Sequence, residues 1–247
     1  MFDYAYAMTQ ALKSVFTDKT WTFVSWVHVS AAAKLLPPGS RVISIGGGFD
    51  LSLDRLLALH YPWLSVTATD LDPHELPPAF CPPNLTVRKL DICTGSAEDH
   101  YDLVYSVQCF EHIEDDQLAI GKAISYVREG GRFLVIVPFA TPEEQADAAT
   151  VAEDRARNQH CRPGYDPARL RSLVAPGRFA DVRVEACFWW YSSHLRNYKE
   201  LVAGRLGEQA WPHLEALARL DVRPGQLPLK RTEAVGIRLL ATGKSLG

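Results

Sequence analysis

The chain has 247 residues, 47% of them hydrophobic and 22% charged, with a formal net charge of −3. A chain of this size buries a substantial core. Its slightly acidic balance argues against a nucleic-acid partner, because gripping phosphates requires a clustered basic surface. The cysteines at 81, 93, 109, 161 and 187 are odd in number and form no Cys-x-x-Cys. The reading is therefore neither a disulfide framework nor a zinc cluster, no metal is expected, and reduced thiols fit a cytoplasmic protein. The start, with Asp3, lacks the basic-then-apolar order of a signal peptide. The uncharged stretch between Lys19 and Lys34 is too short to cross a bilayer, so no membrane role is expected.

In chain order, residues 3–36 read as helical. Ala5, Met8, Leu12, Val15 and Phe16 recur near helical spacing, and a second helix over 22–36 stops at Pro37-Pro38-Gly39, since proline cannot continue the hydrogen-bond ladder. From Arg41 the pattern becomes short apolar runs alternating with helices. Strands are predicted at 41–46, 64–69, 85–90, 102–107 and 131–137, with helices at 50–60 and 115–128. Leu103-Val104-Tyr105 and Phe133-Leu134-Val135-Ile136-Val137 are apolar without interruption, as strands covered on both faces are. Between Pro73 and Pro83 the prolines are too dense for more than a turn of helix. A polar stretch at 142–158, a loop at 160–164, a helix at 167–175, a strand at 181–190, helices near 194–220 and a strand at 234–242 complete the pattern. This gives a Rossmann-like α/β fold of seven mostly parallel strands with the last antiparallel and helices on both faces. The whole chain, 1–247, is read as one domain: a helical cap at 1–38, a core at 39–139, and a second half at 140–247.

Three features converge on one edge of that sheet. Val42-Ile43-Ser44-Ile45-Gly46-Gly47-Gly48 is a strand running into a glycine turn and then a helix, which lets backbone approach a ligand closely. A tight turn with no ligand uses the same residues. A dinucleotide fingerprint would place a third glycine at 51, where this chain has Leu51, and that weakens a nicotinamide reading. Asp70, ending the second strand, can accept hydrogen bonds from both hydroxyls of a ribose, and Asp91, ending the third, can accept from an adenine amino group with Ile92 against the ring. An aspartate at either place also serves as a turn or helix cap.

These segments, with Ala68-Thr69-Asp70-Leu71-Asp72-Pro73, Leu90-Asp91-Ile92, Tyr101-Asp102-Leu103-Val104-Tyr105-Ser106, Phe110-Glu111-His112-Ile113 and Gly130-Gly131-Arg132-Phe133-Leu134, resemble the class I S-adenosylmethionine-dependent methyltransferases over residues 41–139. The resemblance implies S-adenosyl-L-methionine as cofactor. It implies that Gly46, Gly47 and Gly48 line the methionyl part, that Asp70 and Leu71 meet the ribose, that Asp91 and Ile92 meet the adenine, and that Ser106 lies near the sulfonium. Two positions depart from the family pattern. Ser44 stands where an acid is usual, and Asp50 replaces a third glycine.

Glu111 and His112 follow the fourth strand. His112 is the candidate general base, since an imidazole titrates near neutrality; the same pair also occurs as a loop-shaping element. His160 and Tyr165, on the loop after the fifth strand, and Trp189 and Tyr191, ending the sixth, are candidate substrate contacts, with core packing the alternative for the aromatics. The expected function is methyl transfer to an oxygen or nitrogen of a small molecule. A cofactor-binding protein that transfers no methyl group, or a nicotinamide oxidoreductase, are the other readings.

Overall fold

The computed structural model describes residues 20–48, 51–96, 99–187 and 236–244. The elements are α1 (Thr20–Ala33), β1 (Arg41–Ile45), α2 (Ser52–His60), β2 (Ser65–Asp70), β3 (Leu85–Lys89), β4 (Tyr101–Val107), a 3₁₀ turn (Phe110–His112), α3 (Asp116–Ser125), β5 (Val127–Pro138), α4 (Pro142–Ala146), α5 (Ala148–Asn158), α6 (Pro167–Ser172), β6 (Asp181–Ala186) and β7 (Gly236–Thr242). They form a seven-stranded sheet in the order β3-β2-β1-β4-β5-β7-β6. β1 to β5 run parallel, and β7 lies antiparallel between β5 and β6. The expected fold class is the observed one, down to the antiparallel last strand.

Strand alternation divides the core in two. Val42, Leu103, Tyr105, Leu134 and Ile136 face one side, where they pack with Trp26 and Val29 of α1 and Leu56 and Leu57 of α2. Ile43, Val104, Phe133, Val135 and Val137 face the other, with Ile120 and Ala123 of α3 and Leu170 of α6. Each fully buried large apolar side chain contributes roughly 1.5–3 kcal/mol. Trp26 is thus a core residue.

Helix starts follow from side-chain acceptors for otherwise unpaired N–H groups. Asp115 accepts from Leu118 N at the start of α3, and Asp166 accepts from Ala168 N and Arg169 N ahead of α6, with Pro167 in the first turn. The polar stretch 142–158 is two helices, not one. Thr141 and Glu144 form a capping box on α4, and Asp147, extended at φ −80 and ψ 110, closes α4 and caps α5. α3 ends at Ser125 and β5 begins at Val127, earlier than predicted, because Val127 pairs with Tyr101 ahead of a register shift in β4. The proline-rich crossover after β2 has no helix. Asn84 ties it down by donating to the carbonyls of Ala58 and Leu64, each at 3.0 Å. The helices expected near 3–19 and 194–220, and the end of the strand expected at 181–190, lie outside the described residues.

One buried polar pair locks α2 to the sheet. The Tyr105 hydroxyl donates to Asp54 Oδ1, with Asp54 fully buried and Tyr105 nearly so. Burial, reinforced by the Asp54 charge, raises the phenol well above its ordinary value, so it remains a donor. Removing one partner of a buried hydrogen bond to a charged group costs about 1–3 kcal/mol. Tyr105→Phe is therefore expected to lower unfolding free energy by about that amount in urea melts. A loss under about 0.5 kcal/mol would remove this bond from the stability of the fold.

Candidate active site

The sheet order places β2 on one side of β1 and β4 on the other. The segments leaving β1 and β4 therefore diverge, and a crevice opens at the carboxyl edge between them. The cleft has a volume of about 510 Å³ and takes in Gly46, Gly48, Asp70, Asp91, Gln108 and His112. Leu71 and Ile92, both predicted for the site, also line it, as do Ile45, Leu90, Cys93, Cys109 and Ile113.

The glycine turn is built by what surrounds it. Gly46 and Gly48 have φ of +72° and +76°, a region that side chains other than glycine avoid. A Cβ on Gly46 would overlap the Cys109 side chain, whereas one on Gly48 would meet nothing within 4 Å and would project into open space. Gly47 differs from its neighbours. It does not line the cleft, and its missing Cβ makes room for Asp54 Oδ2 and Leu51 Cδ2, each 2.7 Å from where that atom would be. Its role is to let the turn settle on α2. Leu51, fully buried at φ +48°, fills the place where a third dinucleotide-site glycine would stand.

Both carboxylates are anchored by backbone. Asp70 accepts from Gly48 N at 2.9 Å and from Asp72 N at 3.2 Å, so it is fixed to the turn it faces. Asp91 accepts from Cys93 N at 2.8 Å and from the Thr94 hydroxyl at 2.9 Å. The Cys93 bond, followed by the Thr94 hydroxyl, holds its carboxyl below the usual range, which keeps it ionised at neutral pH. Gln108, at φ +50°, brings an amide Nε2 that is buried yet has no hydrogen-bond partner. Cys109 is pushed up to about 12 by burial, then by the Glu111 and Asp70 charges, so it is a protonated thiol rather than a nucleophile.

At the opposite end, residues 159–165 lie across the 3₁₀ turn. Arg162 donates to the carbonyls of Phe110, Ile113 and Glu114 at 2.9, 2.7 and 2.8 Å. Cys161 N donates to the Glu111 carbonyl at 2.7 Å. His112 is exposed and lines the cleft, with Nδ1 3.3 Å from the Gln159 carbonyl. His160, far away in sequence, stacks edge-on to it at 4.6 Å between ring centroids, and its Nδ1 lies 2.7 Å from Asp154 Oδ2. One ligand atom from each of Glu111, His112 and His160 falls within 4.8 Å of the others.

Three predicted residues stand elsewhere than expected. Ser106 is buried and donates to the Ile45 carbonyl at 2.9 Å; it ties β4 to β1 beneath the cleft instead of facing the sulfonium position. Tyr165 is wholly buried, pairs through its backbone with Phe139, and belongs to the core, so it cannot meet a substrate. Glu111 is 0% exposed, which removes it from direct contact with an acceptor. Burial pushes its carboxyl up to about 8. Trp189 and Tyr191 lie outside the described residues. The sequence reading missed Gln108, Cys109 and Ile113. Their signal was position alone: they follow β4 at the same edge as the glycine turn.

Gly46→Ala is expected to destabilise the chain by more than about 1 kcal/mol, from the positive φ together with overlap on Cys109. Adding Cys109→Ala should recover the part of the overlap due to Sγ and leave the backbone part, together with the contact to the Cys109 Cβ, 2.7 Å from the new atom. Thermal melts of the two variants read this directly, and a double variant no more stable than the single one would contradict the packing described.

A family profile described as a methyltransferase domain matches residues 25–176. No curated protein sequence matches the chain. Among solved structures, phosphoethanolamine N-methyltransferase 2 of Haemonchus contortus, in complex with S-adenosyl-L-methionine, is similar with a TM-score of 0.60 at 16% identity, over 90% of this chain and 52% of that one. This chain thus spans about half the length of that enzyme. Coclaurine N-methyltransferase, bound to N-methylheliamine and S-adenosylhomocysteine, is similar at 0.58 and 14% identity, over 89% of this chain and 70% of that one. A plantazolicin methyltransferase in complex with S-adenosylhomocysteine is similar at 0.54 and 12% identity, over 96% and 88%.

Proposed function

We propose that this chain, which belongs to the methyltransferase domain family, binds S-adenosylmethionine in the β1–β4 cleft and methylates an oxygen or nitrogen of a small molecule that enters beside His112. The observation that carries the reading is that one cleft joins a positive-φ glycine turn, two anchored carboxylates and a buried amide without a partner. When bound, S-adenosylmethionine supplies an electrophilic methyl group with a neutral thioether as leaving group.

The residues present fit that molecule. Asp70 retains acceptor capacity for ribose hydroxyls beyond its two backbone bonds. Asp91 would accept from the adenine amino group, with Leu90 and Ile92 as apolar wall. The unpartnered Gln108 Nε2 is a donor suited to the methionyl carboxylate, and the open face of Gly48 leaves room for close approach. Orientation in such a cleft accounts for much of the acceleration of a displacement at carbon. His112 is the acceptor-side group. Its Nδ1 faces a carbonyl oxygen and must donate, which leaves the lone pair on Nε2 to engage the nucleophile. A small acceptor agrees with the neighbours whose structures hold small molecules, and with the net charge of −3.

Calorimetry with S-adenosylmethionine tests the cofactor. Binding is expected for the native chain, and Asp70→Ala should weaken it by about 1.5–3 kcal/mol. No binding by the native chain overturns the reading. Release of S-adenosylhomocysteine from a panel of hydroxylated and amino small molecules tests the transfer itself. On an acceptor so found, His112→Ala should lower turnover by roughly 10²–10⁴-fold while cofactor affinity stays unchanged. Loss of cofactor binding in step with turnover would instead make His112 part of the cofactor site.

A further inference from the structure

We infer that Glu111, His112 and His160 form a binding site for one first-row divalent cation at the acceptor end of the cleft. Three observations converge. The first is proximity: one ligand atom from each residue falls within 4.8 Å of the other two. Donors about 2.1 Å from a shared ion lie at most about 4.2 Å apart, so a small rotation of the exposed His112 ring closes the set.

The second is tautomer control. His112 Nδ1 faces the Gln159 carbonyl at 3.3 Å, and a carbonyl oxygen only accepts. His160 Nδ1 faces the Asp154 carboxylate at 2.7 Å. In the neutral form both rings therefore carry their proton on Nδ1, which makes Nε2 the ligand atom of each. A carboxylate or carbonyl behind the imidazole is the usual support of a metal-ligating histidine. Two histidines 48 positions apart in the chain have no reason to share that orientation for packing alone, since one of them is exposed.

The third is the Glu111 carboxylate. It is fully buried and neither oxygen has a hydrogen-bond partner. A buried carboxylate without a donor is costly. Arg162 is the nearby cation, but its guanidinium donates to the Phe110, Ile113 and Glu114 carbonyls and pairs with Asp116. Both Glu111 oxygens are thus left without a protein donor while the neighbouring guanidinium is committed elsewhere.

The donor set, two imidazoles and one carboxylate, suits zinc, manganese, cobalt or iron in the divalent state rather than magnesium or calcium, which prefer oxygen alone. Three protein ligands leave coordination positions open for water or an acceptor hydroxyl. Because His112 also lines the cleft, that open side faces the cavity. With the ion bound, His112 Nε2 is a ligand and no longer a free base, so activation of the acceptor would pass from the imidazole to the ion; that the ion serves methyl transfer rests on the proposed function, its binding does not.

The test uses the chain stripped with a chelator and titrated with Co²⁺, read by visible absorption, while S-adenosylmethionine binding is measured by calorimetry on the same samples. One equivalent of Co²⁺ is expected. His112→Ala and His160→Ala should each weaken its binding at least about 100-fold, and Asp154→Asn, behind His160, about 10–100-fold. Glu111→Gln should also weaken it strongly; the amide keeps the volume, and circular dichroism checks the fold. His112 is exposed, so its variant reports even where a buried substitution disturbs folding. Absence of a cobalt spectrum in the native chain, or an affinity unchanged in both histidine variants, overturns the site. Intact S-adenosylmethionine binding without a cobalt signal refutes the cation site alone. Cobalt binding lost in the variants but without any S-adenosylmethionine binding supports the cation site and refutes only the reading of the cleft.

Discussion

Everything at the carboxyl edge depends on the reversal of strand order at β1. With β2 hydrogen-bonded on one side and β4 on the other, the segments that leave β1 and β4 turn away from each other, and a cleft opens between them. Parallel pairing carries this consequence further. It puts the carboxyl ends of β1, β2, β3 and β4 at one edge, so that the glycine turn, Asp70, Asp91 and Gln108 arrive there by topology alone. A sheet of the same composition with antiparallel neighbours would scatter these residues over both edges.

The edge has two ends of different character. Backbone donors hold the carboxylates of Asp70 and Asp91 and leave each with further acceptor capacity. At the other end the supporting work falls to Arg162, whose five donors gather the carbonyls of the 3₁₀ turn and bind residues 159–165 to residues 110–114. That contact is what brings His160 beside His112. The one end is assembled from consecutive residues of single turns, the other from two segments that meet only when the fold is complete.

This difference decided what could be read in the sequence. Continuous apolar runs such as Phe133–Val137 announce strands buried on both faces, and prolines at 37 and 38 mark a helix end, because these signals are local. The glycine turn and both aspartates were legible for the same reason: each lies at or within two residues of the carboxyl end of its strand. Ser106 was misplaced because period-two alternation turns it under the sheet, where its hydroxyl reaches the Ile45 carbonyl. Tyr165 was misplaced because its backbone bridge to Phe139 pulls the loop inward. The partnership of His160 with His112 has no local signature at all, and cysteine spacing, on which the expectation of no metal rested, says nothing about it.

Gly46 and Cys109 occupy what is in effect one volume. The space a Cβ would take at position 46 is filled by the Cys109 side chain, which arrives from the segment after β4. Neither position is free to vary by itself. A larger residue at 109 would press on the turn from below, and any side chain at 46 would need a vacancy at 109 before it could be admitted. Sterically the two positions form a linked pair, with bulk admitted at 46 only where it is surrendered at 109, and even then against the positive φ of the turn. The coupling joins the segment after the first strand to the segment after the fourth, so a substitution in either loop is answered by the space in the other.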